Sequence, residues 1–124
     1  MKQTLLEFLA VGLASAFGGM ARFAIARLLN ADDYPYGTFL INISGCFLIG
    51  WFLTAANERH LVGDLASVAI AVGFIGTYTT FSTYMFESDK MIQHGLTLRA
   101  IIYLTASVLL GLLAVRAGVL LARR

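Results

Sequence analysis

The stretch Gly73-Phe74-Ile75-Gly76-Thr77-Tyr78-Thr79-Thr80-Phe81-Ser82-Thr83-Tyr84 lies inside a window, residues 65 to 86, that holds no charged residue. That window of 22 residues is long enough to cross a bilayer core of about 30 Å as a helix. From Thr77 to Tyr84, however, only Phe81 lacks a hydroxyl, and Gly73 and Gly76 precede the run. Glycine, threonine and serine lower helix propensity together, so the stretch predicts a membrane helix broken near its middle. A break frees carbonyl groups, which hydrocarbon tolerates only where protein covers them or an ion satisfies them. A second arrangement also fits these residues: the hydroxyls bond back to their own helix and the glycines allow close packing.

The rest of the chain has the same apolar character. Of its 124 residues 59% are hydrophobic and 13% charged, and the mean hydropathy is +0.80, which excludes an ordinary water-soluble domain. Each charge costs roughly 2.5 to 3.5 kcal/mol at the centre of a membrane helix, so the uncharged gaps mark the spans. They predict an all-α membrane protein, one domain over residues 1–124, with four transmembrane helices at about 5–29, 35–57, 65–86 and 98–121. Asp32-Asp33 and Pro35 suit the start of the second helix. Four helices joined by short loops leave little room for a water-filled path inside one copy, so a transport role requires an oligomer.

The net charge of +2 belongs to loops and helix ends and indicates no nucleic-acid partner. Cys46 is the only cysteine, and His60 and His94 lack metal-ligand spacing with it or each other, so neither a disulfide framework nor a side-chain metal site is available. Lys2 precedes an apolar run that continues as a long first span, without the short core and cleavage site of a signal peptide. The side carrying both termini and the middle loop holds 5 Lys and Arg, against 3 on the other side, with Arg22 left out as intramembrane. So small a bias permits insertion in both directions; it also fits a fixed arrangement with both termini cytoplasmic.

Polar groups deep in a span must bond to something or line a wet path. They are Arg22 in the first span, Asn42 in the second, the hydroxyl run in the third, and Tyr103 with Ser107 at i and i+4 in the fourth, where Gly111 continues the same face. Arg22 either reaches carbonyls or headgroups at the membrane edge or touches a substrate. The Asn42 amide can offer two N–H donors to an anion. Gly12 with Ala16, and Ser15 with Gly19, read as a helix-packing face. No Asp or Glu lies deep in a span, Glu7 and Glu87 being near ends, whereas a proton-coupled cation exporter keeps a carboxylate near the midplane. Donors without carboxylates favour an anion, and the positive edges of aromatic rings such as Phe81 add to them. No constellation for covalent catalysis is present, so an enzyme is not expected.

In length, span count and motif order the chain resembles the fluoride channel family, called Fluc or CrcB. The resemblance rests on Gly18-Gly19-Met20-Ala21-Arg22, then Pro35-x-Gly37-Thr38-x-x-x-Asn42-x-x-Gly45, then Gly73-x-x-Gly76-x-x-Thr79-Thr80-Phe81-Ser82-Thr83. It implies an antiparallel, dual-topology homodimer in the cell membrane, lipid around it, two fluoride pathways along the dimer interface, and a structural, untransported Na⁺ at the centre. The resemblance places that Na⁺ on main-chain carbonyls of Gly76 and Thr79 from both copies. It maps the fluoride pathway onto Asn42, Phe81, Tyr84, Ser82 or Thr83, Tyr103 and Ser107, with Arg22 near the vestibule. Two positions depart from the family pattern: Tyr84 stands where Phe is usual, and Gly111 where a serine is. The function it implies is passive fluoride export. Readings from other classes are a small dimeric drug or cation exporter and a non-transporting assembly subunit.

Overall fold

The computed structural model describes residues 1–124, which form a helical membrane protein. Its elements are α1 (Lys2–Leu29), α2 (Tyr36–Arg59), α3 (Asp64–Val68), a π-helical turn (Ala69–Ile75), α4 (Gly76–Tyr78), α5 (Phe81–Gln93) and α6 (Thr97–Ala122). Four helical stretches are long and apolar enough to cross a membrane: α1, α2, the interrupted stretch Asp64–Gln93, and α6. Both termini therefore lie on one side. Only 22 of the 124 residues are buried, so the sides of the chain are apolar surface that must meet lipid or another chain. Phe8, Leu13, Phe17 and Phe23 of α1 are all exposed.

Without a hydrophobic drive inside the bilayer, helices associate where small residues let backbones touch. Two such seams hold the protomer together. Between α2 and α6, a Cβ on Gly50 would strike the Val115 carbonyl, and one on Gly118 would strike the Phe47 carbonyl and come within 2.7 Å of the Trp51 amide nitrogen. Between α1 and the π-helical turn, a Cβ on Gly73 would lie 2.8 Å from both the Val11 carbonyl oxygen and Ala14 Cβ, and one on Gly18 would strike the Phe74 carbonyl and Thr77 Oγ1. Thr77 Oγ1 joins the same seam by donating to the Ser15 carbonyl at 3.1 Å. The glycines expected to pack, Gly12 and Gly19, meet nothing within 4 Å. The neighbouring Gly18 makes the contact instead, because which of two adjacent glycines faces a partner depends on helix rotation, and an all-round apolar helix does not encode that.

The third stretch is interrupted as its sequence predicts. Thr79 (φ −84°, ψ 160°) and Thr80 (φ −152°, ψ 121°) are extended between α4 and α5. The π-helical turn before them is not legible in the sequence: its wider winding rotates α4 relative to α3, immediately upstream of the break. Thr80 then restarts the helix, its Oγ1 accepting from the Thr83 amide at 3.3 Å as an N-cap. α5 continues to Gln93, so Glu87, Asp89 and Lys90 are helical, and α6 begins after a turn in which Gly95 takes φ +78°.

At the end of the bundle away from the termini, Glu87 gathers the protomer. Its Oε1 accepts from Thr38 Oγ1 at 2.7 Å and Asn30 Nδ2 at 3.0 Å, and its Oε2 accepts from Tyr103 Oη at 3.1 Å. Asn30 Oδ1 in turn accepts from the Thr38 amide at 3.1 Å. One carboxylate thus ties together the end of α1, the start of α2, α5 and α6. Exposed ion pairs bind α6 to its neighbours at both ends, Arg99 to Asp33 (2.7 Å) and Arg123 to Glu58 (3.0 Å), each worth about 0–1 kcal/mol.

Candidate functional site: a cleft at the helix break

The break lies against the middle of α2, and one side chain secures it. Asn42 Nδ2 donates to the Thr80 carbonyl at 3.0 Å, and Asn42 Oδ1 accepts from the Thr80 amide at 2.9 Å. The carboxamide has the same donor and acceptor as a peptide group, so it pairs with the extended backbone of Thr80 as a neighbouring strand would. One Asn42 N–H remains uncommitted.

Beside this staple lies a cleft of about 350 Å³, whose wall includes Asn42, Gly76, Thr79, Phe81, Tyr84 and Ser107. Six of the residues singled out in the sequence therefore share one surface. Gly45 and Cys46 of α2 and Thr80 complete its polar and small side. No Asp, Glu, Lys or Arg lines it. Ser107 Oγ is buried beside the Tyr84 hydroxyl and makes no hydrogen bond of good geometry within the chain. Phe81 is 73% exposed at the rim, its ring centroid 6.0 Å from that of Tyr84.

The other expected residues take different places. Tyr84 is buried and its hydroxyl donates to the Leu104 carbonyl at 2.7 Å, so it turns a ring rather than a free O–H to the cleft. Tyr103 is fully buried behind it, ring centroids 5.0 Å apart and edge-on, with its hydroxyl given to Glu87. Thr83 Oγ1 accepts from Thr80 Oγ1 at 3.0 Å, and Ser82 is exposed on the first turn of α5. Arg22 reaches the break from α1, Nη1 lying 3.4 Å from the Thr79 carbonyl oxygen. Opposite Gly111, Cys46 Sγ fills the space, 3.3 Å from where a Cβ would stand.

Thr80 and the group Asn30, Thr38 and Glu87 do not stand out in the sequence as they do in the fold. For Thr80 a signal exists, a hydroxyl three residues before Thr83 at a helix start. Glu87 reads only as a charge ending a span, because its partners come from three distant points of the chain.

The chain's pattern matches the family described as CrcB-like protein, Camphor Resistance (CrcB), over residues 9–119. Among curated proteins it is 39% identical over 122 residues to a protein named fluoride-specific ion channel FluC from Acidobacterium capsulatum, covering 96% of this chain and 98% of that one. It is 38% identical to a protein of the same name from a Synechococcus species, covering 92% and 90% of the two chains. A Listeria monocytogenes protein named fluoride-specific ion channel FluC 2 is 36% identical, with 94% and 91% covered. These relatives are named as channels, not enzymes, and they are similar along nearly their whole length. Together with the four spans, these matches show that the chain belongs to the CrcB family of multi-pass bacterial membrane proteins.

Proposed function

We propose that this chain is one half of an antiparallel, dual-topology homodimer that conducts fluoride passively out of the cell. The observation that carries the reading is the cleft at the break, where Asn42, Phe81 and the buried Ser107 hydroxyl share one wall free of carboxylates. The names of the curated relatives point the same way.

Fluoride is small and strongly hydrated, so a selective path must replace its water with close donors and remain too narrow for larger anions. Asn42 contributes its remaining N–H, Ser107 an O–H, and Phe81 and Tyr84 the positive edges of their rings. These groups are donors of moderate strength, which lets the ion leave again. Ser82 and Thr83 continue the path along α5, Tyr103 holds Tyr84 in orientation, and Arg22 raises the local anion concentration near the break. Because the cleft lies on the surface of one protomer, with Phe81 73% exposed, a second copy is the natural wall that closes it. The small difference in Lys and Arg between the two sides supports opposite insertion.

The break also suits a hard cation. The extended backbone at Thr79 and Thr80 removes the next-turn amides from the carbonyls of Gly76 and Thr79, and oxygen donors are what Na⁺ accepts. Gly76 is exposed, and a Cβ there would meet only the Ala71 carbonyl oxygen, at 3.5 Å, so a second chain can approach. The carbonyls of Gly76 and Thr79 from two copies would hold the ion. Bound there, Na⁺ would offset carbonyl dipoles that otherwise repel one another across the dimer.

Fluoride taken up as its neutral acid dissociates inside the cell, and passive conduction lowers what accumulates. Glu87 does not favour the rival cation exporter: it sits at the end of the bundle away from the termini, and both its oxygens already accept from Asn30, Thr38 and Tyr103. The test is fluoride efflux from liposomes containing the purified protein with Na⁺ present. Efflux well above that of empty vesicles is expected; efflux equal to theirs refutes the channel reading.

A further inference from the structure

Arg22 is a cation inside a membrane-spanning helix, and no carboxylate lies within 4 Å of it. Its one hydrogen bond is to the main-chain oxygen of Thr79, from Nη1 at 3.4 Å, across 57 residues of sequence. Both partners are otherwise in difficulty. A guanidinium in hydrocarbon needs an acceptor, and the Thr79 carbonyl has lost its helical donor to the break. The contact pairs one of the guanidinium's five N–H donors with that carbonyl.

That oxygen is also one of the two that the sodium reading assigns to the ion, and the role of Arg22 inferred from it rests on that reading. A carbonyl can accept twice, but two positive charges sharing one oxygen repel strongly at such separations. We infer that Arg22 is the protomer's tethered substitute for the bound cation and sets how tightly the assembled site holds Na⁺. Before assembly the guanidinium keeps the broken backbone satisfied within one chain. In a pair, an ion held on the Thr79 carbonyl would compete with the guanidinium for that oxygen.

Competition for the ion's oxygen separates Arg22 from a residue that merely supports the fold. A supporting residue, when replaced, lowers the melting temperature at every Na⁺ concentration and leaves the midpoint of the Na⁺ response where it was. A competitor, when removed, moves that midpoint to lower Na⁺. The full-length protein in detergent is titrated with NaCl, ionic strength being held with an organic cation chloride, and both dimer fraction and melting temperature are followed. Arg22→Gln is expected to lower the Na⁺ midpoint about tenfold, and Arg22→Lys, whose compact ammonium lacks the planar fork, about threefold. In the absence of Na⁺, both variants are expected to melt lower than wild type. Should Arg22→Gln fail to fold, Arg22→Lys carries the test alone. A midpoint unchanged or raised in the folded variants overturns the inference. A wild-type protein with no Na⁺ response at all overturns the sodium reading and this inference with it, a result distinct from a wild-type response that the variants leave in place.

Discussion

The Asn42 carboxamide bonds both backbone groups of Thr80, donating to its carbonyl at 3.0 Å and accepting from its amide at 2.9 Å. Read from the sequence, Asn42 is an anion donor. In the fold most of its capacity goes into holding the extended link between α4 and α5, which leaves one N–H for an ion. Asn42→Ala is therefore expected to do more than remove a donor. Stranding the two Thr80 groups destabilises the protein by about 1–3 kcal/mol, visible as a lower melting temperature in detergent. Asn42→Asp keeps the acceptor but turns a negative oxygen toward the Thr80 carbonyl, and fluoride efflux from liposomes should be lost. Efflux at the wild-type rate in Asn42→Asp would show that this residue takes no part in the path.

Phe81 offers a cleaner separation of conduction from stability. Its ring is 73% exposed in the protomer, so replacing it with Ile removes little packing. Phe81→Ile should abolish fluoride efflux while the protein stays folded and elutes from a sizing column unchanged. Undiminished efflux would mean that the ring edge contributes nothing.

A glycine inside a seam and one outside both seams predict opposite responses to the same change. At Gly118 an added methyl group would strike the Phe47 carbonyl, and neither backbone can yield without parting α2 from α6; Gly118→Ala should cost about 1–3 kcal/mol. At Gly12 nothing stands within 4 Å, and alanine removes glycine's disadvantage within a helix, so Gly12→Ala should be neutral or stabilise by up to about 1 kcal/mol. Thermal unfolding of the two proteins side by side reads the difference.

Gly76 separates folding of the single chain from the proposed pairing. A Cβ there meets the Ala71 carbonyl oxygen at an ordinary 3.5 Å, so Gly76→Ala should leave the single chain folded. If two copies approach at this point around an ion, the same methyl group should lower the dimer fraction and blunt its response to Na⁺. A dimer fraction equal to wild type would place the contact elsewhere.

Glu87 is expected to matter for the corner between α1 and α2. Glu87→Ala removes the acceptor shared by Asn30, Thr38 and Tyr103, a loss of about 3 kcal/mol. The loop from Asn30 to Pro35 should then become sensitive to limited proteolysis. Glu87→Gln, which retains one acceptor oxygen, should fall between.

How far these features can be read in advance depends on whether they are local. Gaps between charges reveal four helices because a charge in hydrocarbon is costly wherever it sits. The hydroxyl run reveals the break because propensity is a property of neighbours. Asn42, Phe81 and Ser107 are recognisable as polar or aromatic groups in an apolar setting, and the fold brings them to one cleft. The orientation of helices is not legible: nothing in α1 says that Gly18 rather than Gly19 meets Phe74. Nor is the commitment of hydroxyls, since Tyr84 and Tyr103 look like free donors until Leu104 and Glu87 take them. The π-helical turn escapes for a similar reason: Gly73 within Ala69–Ile75 signals weak helix propensity but not a wider winding.

The extended pair Thr79–Thr80 has an electrical consequence of its own. It sets the carbonyl-rich end of one half-helix beside the amide-rich end of the next. Two opposite poles of the backbone therefore meet in the middle of an apolar protein. Under the proposed function, one kink would attract a cation on one side and an anion on the other with no carboxylate, imidazole, ammonium or guanidinium on the cleft wall. Peptide dipoles carry no proton to gain or lose, so fluoride efflux, if it runs through this site, should hold steady through the pH range in which carboxylates and imidazoles titrate.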